Sequence, residues 1–206
     1  MLAIDGATYL SNVEATSPAV EPVTITEAKA HLRVTHTDED SLITSLIVAA
    51  RNYVEGLANR PFVNRTYTLK LDRFPRGYEI ILPAGKVSAV SSITYVDTAG
   101  ATQTLSAGAY TLEGQRLPSS IVINPSTISA WPSTRVYAGI SSVTIGYTAG
   151  YGAAASAIPQ ALRQAVLMSV AYWYDIARET GSETALTEVP HGVESLARMY
   201  SIPRMA

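Results

Sequence analysis

The feature that most constrains this chain is a change of hydrophobic period at Arg60-Pro61. Before it, Leu42, Leu46, Ala50, Tyr53 and Leu57 recur at helical spacing. Ile43, Ile47 and Val54 widen the stripe, and Ser41, Ser45, Asn52 and Glu55 fall on the opposite side. After it, Val63, Arg65, Tyr67, Leu69 and Leu71 alternate with Asn64, Thr66, Thr68 and Lys70, which is the period of a strand. One chain must therefore bury a helical stripe and the face of a sheet. The helix is expected over residues 38–59, about 22 residues and roughly 33 Å long, with the proline as its stop.

Local signals extend the reading. Thr24 is followed three residues later by Glu27, and Thr37 by Asp40, so two capping boxes are expected, the first opening a short helix over residues 25–33. Residues 1–19 read as small, polar and irregular, an extended arm or a poorly ordered terminus. Strands are expected at 79–82, 88–96, 101–105, 110–113, 120–124 and 136–147, with Asp97-Thr98-Ala99-Gly100 as a hairpin turn. Short strands punctuated by Ser, Thr, Gly and Pro indicate an antiparallel sandwich or small barrel. Pro159 then opens a helix to about residue 180, apolar around most of its circumference. One side of it fits the helix at 38–59, and the other needs a second partner, either the β region or a neighbouring subunit. Residues 182–191 read as a loop, 193–200 as a short helix and 201–206 as a tail. The expected class is α+β: a helical part from residues 20–62 and 158–206, packed as a small bundle, with an antiparallel β-rich insertion at 63–157.

Composition narrows the chemistry. There is no cysteine, which removes disulfides, thiolate nucleophiles and cysteine metal sites. Charged residues are only 16% of the chain, fewer than a soluble monomer of this size usually exposes, which favours burial against copies or partners. The net charge of −2 does not advertise nucleic acid. Charge is uneven, however: residues 1–59 carry a net −5 and residues 60–86 a net +4. No apolar run approaches the ~20 residues of a membrane span, and the N-terminus lacks a basic region followed by an apolar run. A soluble protein made in a cytoplasm is expected.

No catalytic constellation emerges. His36 stands beside Asp38, Glu39 and Asp40, but a helix cap explains those residues better than a metal does. His31 and His191 lack a sequence partner of the H-E-x-x-H kind. Neither G-x-S-x-G nor a P-loop is present, and residues 147–152 read as a turn. Arg73 and Arg76 share a loop that either faces phosphates or is solvated and ion-paired. Tyr172, Trp173 and Tyr174 are core or subunit-contact aromatics. No enzyme activity and no cofactor are expected.

A succession of short motifs supplies what chemistry does not. They are Glu21-Pro22-Val23-Thr24-Ile25-Thr26-Glu27-Ala28-Lys29, His31-Leu32-Arg33-Val34, Asp38-Glu39-Asp40, Asn59-Arg60-Pro61 and Leu71-Asp72-Arg73-Phe74-Pro75. Further along come Ser92-Ile93-Thr94-Tyr95-Val96-Asp97, Tyr147-Thr148-Ala149-Gly150-Tyr151-Gly152, Ile158-Pro159-Gln160-Ala161-Leu162-Arg163 and Trp173-Tyr174. In this order and spacing, over about residues 20–180, the chain resembles the head–tail connector (adaptor) proteins of long-tailed bacteriophages, prophages and gene transfer agents.

The resemblance implies a non-catalytic virion protein of the neck. It would form a homo-oligomeric ring, typically dodecameric, beneath the portal protein, extend the channel through which double-stranded DNA passes without sequence specificity, and offer a docking surface to a stopper or tail-completion protein. It implies no membrane partner. Leu167, Met168, Tyr172, Trp173, Tyr200 and Arg204 are the candidate subunit or partner contacts. Arg73, Arg76 and Lys86 are the candidates for the channel or for charge pairing. Another ring-forming stopper or tail-completion protein is the alternative, and a small non-catalytic binding module a further one.

Overall fold

The structure is a computed structural model that describes residues 2–137, 139–178 and 191–202. The described residues fall into two compact units. Residues 18–63 and 151–202 form a helical unit, and residues up to 17 with 64–150 form a β unit. The class is α+β, with flanking helices and a central antiparallel β region.

In the helical unit, α1 (Ile25–Leu32) opens as its sequence dictates. The Thr24 side chain accepts from the Glu27 amide, and the Glu27 carboxylate accepts from the Thr24 amide. The second expected box does not form. α2 (Asp40–Ala58) starts after Glu39 with no side-chain cap, and Asp40 instead accepts from Lys29 Nζ at 2.7 Å. A charged partner from another helix has displaced a local cap. α2 ends at Asn59, which takes the left-handed conformation at φ 53°, before Pro61 could break it.

The buried stripe of α2 is Ile43, Ile47, Ala50, Val54 and Ala58. Relative to the expected stripe it is rotated toward those isoleucines, so that Leu46 is only partly buried and Leu42 is 37% exposed. The rotation brings Arg51 inward, where Glu21 and Glu55 receive it. The stripe packs on Leu162, Ala165, Val166, Val170 and Tyr174 of α3 (Gln160–Arg178), as its near-continuous apolar surface requires. The second side of α3 is covered within the unit, by α1 and by α4 (His191–Arg198), which contributes Val193 and Ala197. The loop expected at 182–191 lies almost entirely outside the described residues, as does most of the tail.

The β unit holds two antiparallel sheets. The larger has six strands in the order β1-β2-β3-β9-β5-β6. These are β1 (Leu2–Ile4), β2 (Ala7–Glu14), β3 (Arg65–Leu71), β5 (Val87–Val96), β6 (Thr102–Thr104) and β9 (Val143–Ala149). The smaller runs β4-β8-β7, from β4 (Glu79–Ile81), β7 (Tyr110–Glu113) and β8 (Ser120–Ile123). The expected alternation is visible in β9, where Val143, Ile145, Tyr147 and Ala149 are buried and the residues between them are not.

The segment at 1–19, expected as an arm, is in part built into the sheet. Its first part is a hairpin whose second strand adds to the outer edge of β3. Asp5-Gly6, both at positive φ (51° and 83°), is the two-residue turn that favours such hairpins. Its flanks, Leu2-Ala3-Ile4 and Ala7-Thr8-Tyr9-Leu10, are largely apolar, and the backbone ladder to β3 makes the join while Ala7 is buried and Tyr9 packs on the β core. The strand expected at 136–147 is also shorter, starting at Val143, and no helix or strand occupies the described residues between Ile123 and Val143. The core of the β unit joins Leu69, Leu71, Ile80, Leu82, Ile93, Ile121, Val143, Ile145 and Tyr147.

Candidate assembly surfaces

The expected contact residues sit on the less buried positions of α3, and after α4. Leu167, Met168 and Trp173 are partly buried and pack against the helical core. Trp173 meets Tyr53 edge-on at 5.7 Å between centroids. Met168 packs where α4 passes close: a Cβ on Gly192 would lie 3.1 Å from its Cε. Tyr172 is also half-buried. Tyr200 packs on the same core while its carbonyl accepts from Arg60 at 3.3 Å. Arg204 lies outside the described residues.

The basic segment at 60–86 does not form one patch. Arg60 is buried in the helical unit, its guanidinium 4.3 Å from the centre of the Tyr151 ring, and burial holds its pKa below the usual arginine value. Arg65 is buried in the β unit and donates to Glu14 at 2.9 Å. Arg73 donates to Asp72 at 3.3 Å, and the other oxygen of that buried carboxylate accepts from the Thr8 amide at 2.7 Å. Arg76 and Lys86 are exposed and have no ion pair among the described residues. Arg73 and Arg76 line a cleft of about 320 Å³ with Trp131, Ser133, Thr134 and Val136. Its aromatic support is Phe74, stacked on Trp131 at 5.1 Å and met edge-on by Tyr95 at 5.6 Å.

Two features escaped the sequence reading. The first is a set of exposed apolar side chains in the stretch before β9: Val136 (44%), Tyr137 (53%) and Ile140 (52%). Arg135 sits 5.0 Å over the Tyr137 ring. The signal was present as apolar residues among Ser, Thr and Pro, but they read as the start of a strand. The second is an apolar groove of about 510 Å³ in the helical unit, lined by Val20, Val23, Ile25, Ile47 and Ala153–Ala155, with Glu21, Thr24 and Thr44 at its polar positions. It joins segments about 100 residues apart, so no local pattern announces it.

Among the described residues there is no group of three or more His, Asp or Glu placed to hold a metal. His36 is 3.7 Å from Glu39, which also accepts from the Tyr174 hydroxyl. No helix among the described residues is long and apolar enough to cross a membrane.

Comparison with known proteins gives these surfaces a context. The chain is similar, at 27% identity and a TM-score of 0.73, to a chain in the neck of an empty gene transfer agent particle computed with C6 symmetry, covering 94% of this chain and 96% of that one. It matches equally fully a chain of the native gene transfer agent virion, at 28% identity and a TM-score of 0.71. A third match lies in the neck of the native particle computed with C12 symmetry, at 27% identity, a TM-score of 0.70 and the same coverage. No curated protein matches in sequence. The model of the family described as head completion protein matches residues 21–188, most of the chain, and the protein therefore belongs to that family.

Proposed function

We propose that this head completion protein works as an adaptor ring in the particle neck. Copies of the chain close beneath the portal, extend the channel for double-stranded DNA and present a surface for the stopper or tail-completion protein. The observation that carries the reading is the likeness, over nearly the whole chain, to neck chains of particles computed with C6 and C12 symmetry. Assembly is by interface burial. A ring of more than two copies is closed by head-to-tail contacts, in which one patch of a subunit meets a different patch of the next.

In this reading the partly buried Leu167, Met168, Tyr172, Trp173 and Tyr200 meet neighbours or the portal. Arg73, Arg76 and Lys86 face the channel or pair with carboxylates. A channel lining need not be strongly basic, because tight phosphate contacts oppose sliding. The burial of Arg60 and Arg65 and the pairing of Arg73 with Asp72 suit that requirement. The test is imaging of purified chain mixed with portal rings by electron microscopy. A closed ring stacked coaxially on the portal is expected. A chain that stays monomeric and does not bind portal at high concentration overturns the reading.

A further inference from the structure

We propose that the head-to-tail contact seats the Arg135–Tyr137 loop of one copy in the apolar groove of the helical unit of the next. The inference rests on the ring reading above, which requires two different, complementary patches on each subunit. The two patches lie on different units of the chain.

The projecting patch has the character of an anchor. Val136, Tyr137 and Ile140 are about half exposed, in a stretch with no helix or strand among its described residues. Long irregular stretches in compact domains are commonly binding loops, and clustered exposed apolar side chains mark contact surfaces. Tyrosine and arginine are among the residues enriched where interfaces concentrate their energy. Both are held from behind: the Arg135 amide donates to the Val96 carbonyl at 3.0 Å, and its guanidinium lies over the Tyr137 ring.

The receiving patch has the matching shape and charge. The groove of about 510 Å³ has room for an aromatic ring with an aliphatic side chain beside it. Its lining is mostly Val, Ile and Ala. At its wall Glu21 shares Arg51 with Glu55, at 2.7 Å and 3.4 Å. The Glu21 carboxylate stays 29% exposed there, open to a second cation. Arg135 has no ion pair among the described residues. Because it travels with the Tyr137 ring, a groove that takes the ring receives the cation beside Glu21. Apolar anchor into apolar groove, with cation beside a partly exposed carboxylate, is the arrangement that also fixes register.

The absence of cysteine makes the test clean. In the chain assembled on portal rings, Tyr137→Cys together with Ala154→Cys should give, on mild oxidation, a ladder of covalent oligomers, while either single variant gives none. Tyr137→Ala alters an exposed side chain and should leave the melting temperature unchanged. It should still lower ring occupancy on the portal about tenfold or more, as loss of an anchor does. Ala154→Trp, which fills the groove, should lower it similarly. Normal assembly by Tyr137→Ala, or a double-cysteine protein that crosslinks only within one chain, overturns the contact. So does Tyr137→Ala reducing portal capture with the ladder absent, which would place the loop on the portal. If the unmodified chain forms no ring on the portal, the adaptor reading itself fails. If it forms rings and the ladder is missing, only this contact fails.

Discussion

The helical unit and the β unit each join segments far apart in sequence, and they do so by different means. A helix satisfies its backbone hydrogen bonds internally, so docking one helix on another is left to side chains. The helical unit therefore uses arginine clamps. Arg163 donates to the Pro22 carbonyl and to Glu27, across 141 and 136 residues. Arg60 donates to the Tyr200 carbonyl across 140 residues, while Asn59 donates to the Ile202 carbonyl. Arg51 holds Glu21 to α2.

In the β unit the backbone is the join. β3 pairs with β2 on one side and β9 on the other, and side chains add only local links. The Tyr9 hydroxyl donates to the Ile81 carbonyl at 3.0 Å and accepts from its amide at 3.1 Å, tying β2 to β4. Burial pushes that phenol up to about 12. The Tyr147 hydroxyl donates to Asn12 at 2.8 Å. Twelve arginines against three lysines thus serve partly as structural clamps, and not only as surface charge.

The largest expected effect tests which face of α2 carries the helical unit. Ile47→Asp buries an unpaired charge, a penalty comparable to the stability of a whole domain, about 5–15 kcal/mol. It should abolish soluble protein. Leu46→Asp, one position round, should remain soluble, with a lowered melting temperature. Equal behaviour of the two would show that the stripe is misplaced.

Next, Arg51→Ala leaves Glu21 and Glu55 facing each other and should cost about 3–5 kcal/mol. Leu69→Ala in the β unit should cost about 2–5 kcal/mol. Scanning calorimetry distinguishes the units: each variant should lower a transition that the other leaves in place. A single transition moving with both would mean that the two cores unfold together.

Smaller again are two hydrogen-bond deletions that compare the modes of joining. Thr24→Ala removes the cap of α1 and should cost about 1 kcal/mol. Tyr9→Phe removes both bonds to Ile81 and should cost about 1–3 kcal/mol, because the Ile81 amide loses its acceptor. Urea denaturation reads both. A larger loss at Thr24 would reverse the ranking.

The smallest effect is one of pH. The bond from the Thr24 amide, aided by the Thr24 hydroxyl and Arg163, holds Glu27 below its ordinary 4.5. A lowered carboxylate pKa stabilises the fold fully above the unfolded value, and that contribution fades as pH falls through the folded one. Melting temperatures of Glu27→Gln should therefore fall less steeply than those of the parent below about pH 4.5. Parallel acid limbs would remove Glu27 from the account.

Legibility followed the range of the forces involved. The capping box at Thr24 and Glu27 could be read because all its atoms lie within one turn. The box at Thr37 failed because Asp40 is claimed by Lys29, 11 residues away. The hairpin at 2–14 was not expected although Asp5-Gly6 signalled its turn, because β1 is only three residues long and the apolar residues of β2 do not alternate strictly with polar ones. Of the expected contact residues, those on α3 lie on its less buried side. The cations grouped by sequence at 60–86 were divided between two units.

The sequence by itself determined the helices on either side of a run of short strands, that α2 must find α3, and that no cysteine chemistry is available. These follow from period, caps and composition, which are local. Only the tertiary structure decided that the N-terminal segment extends the sheet, that α4 covers the spare side of α3, that Arg60 and Arg65 are buried, and that an apolar groove opens beside Glu21. Those depend on which backbone edges and side chains meet across tens to hundreds of residues, where burial and pairing outweigh any local preference.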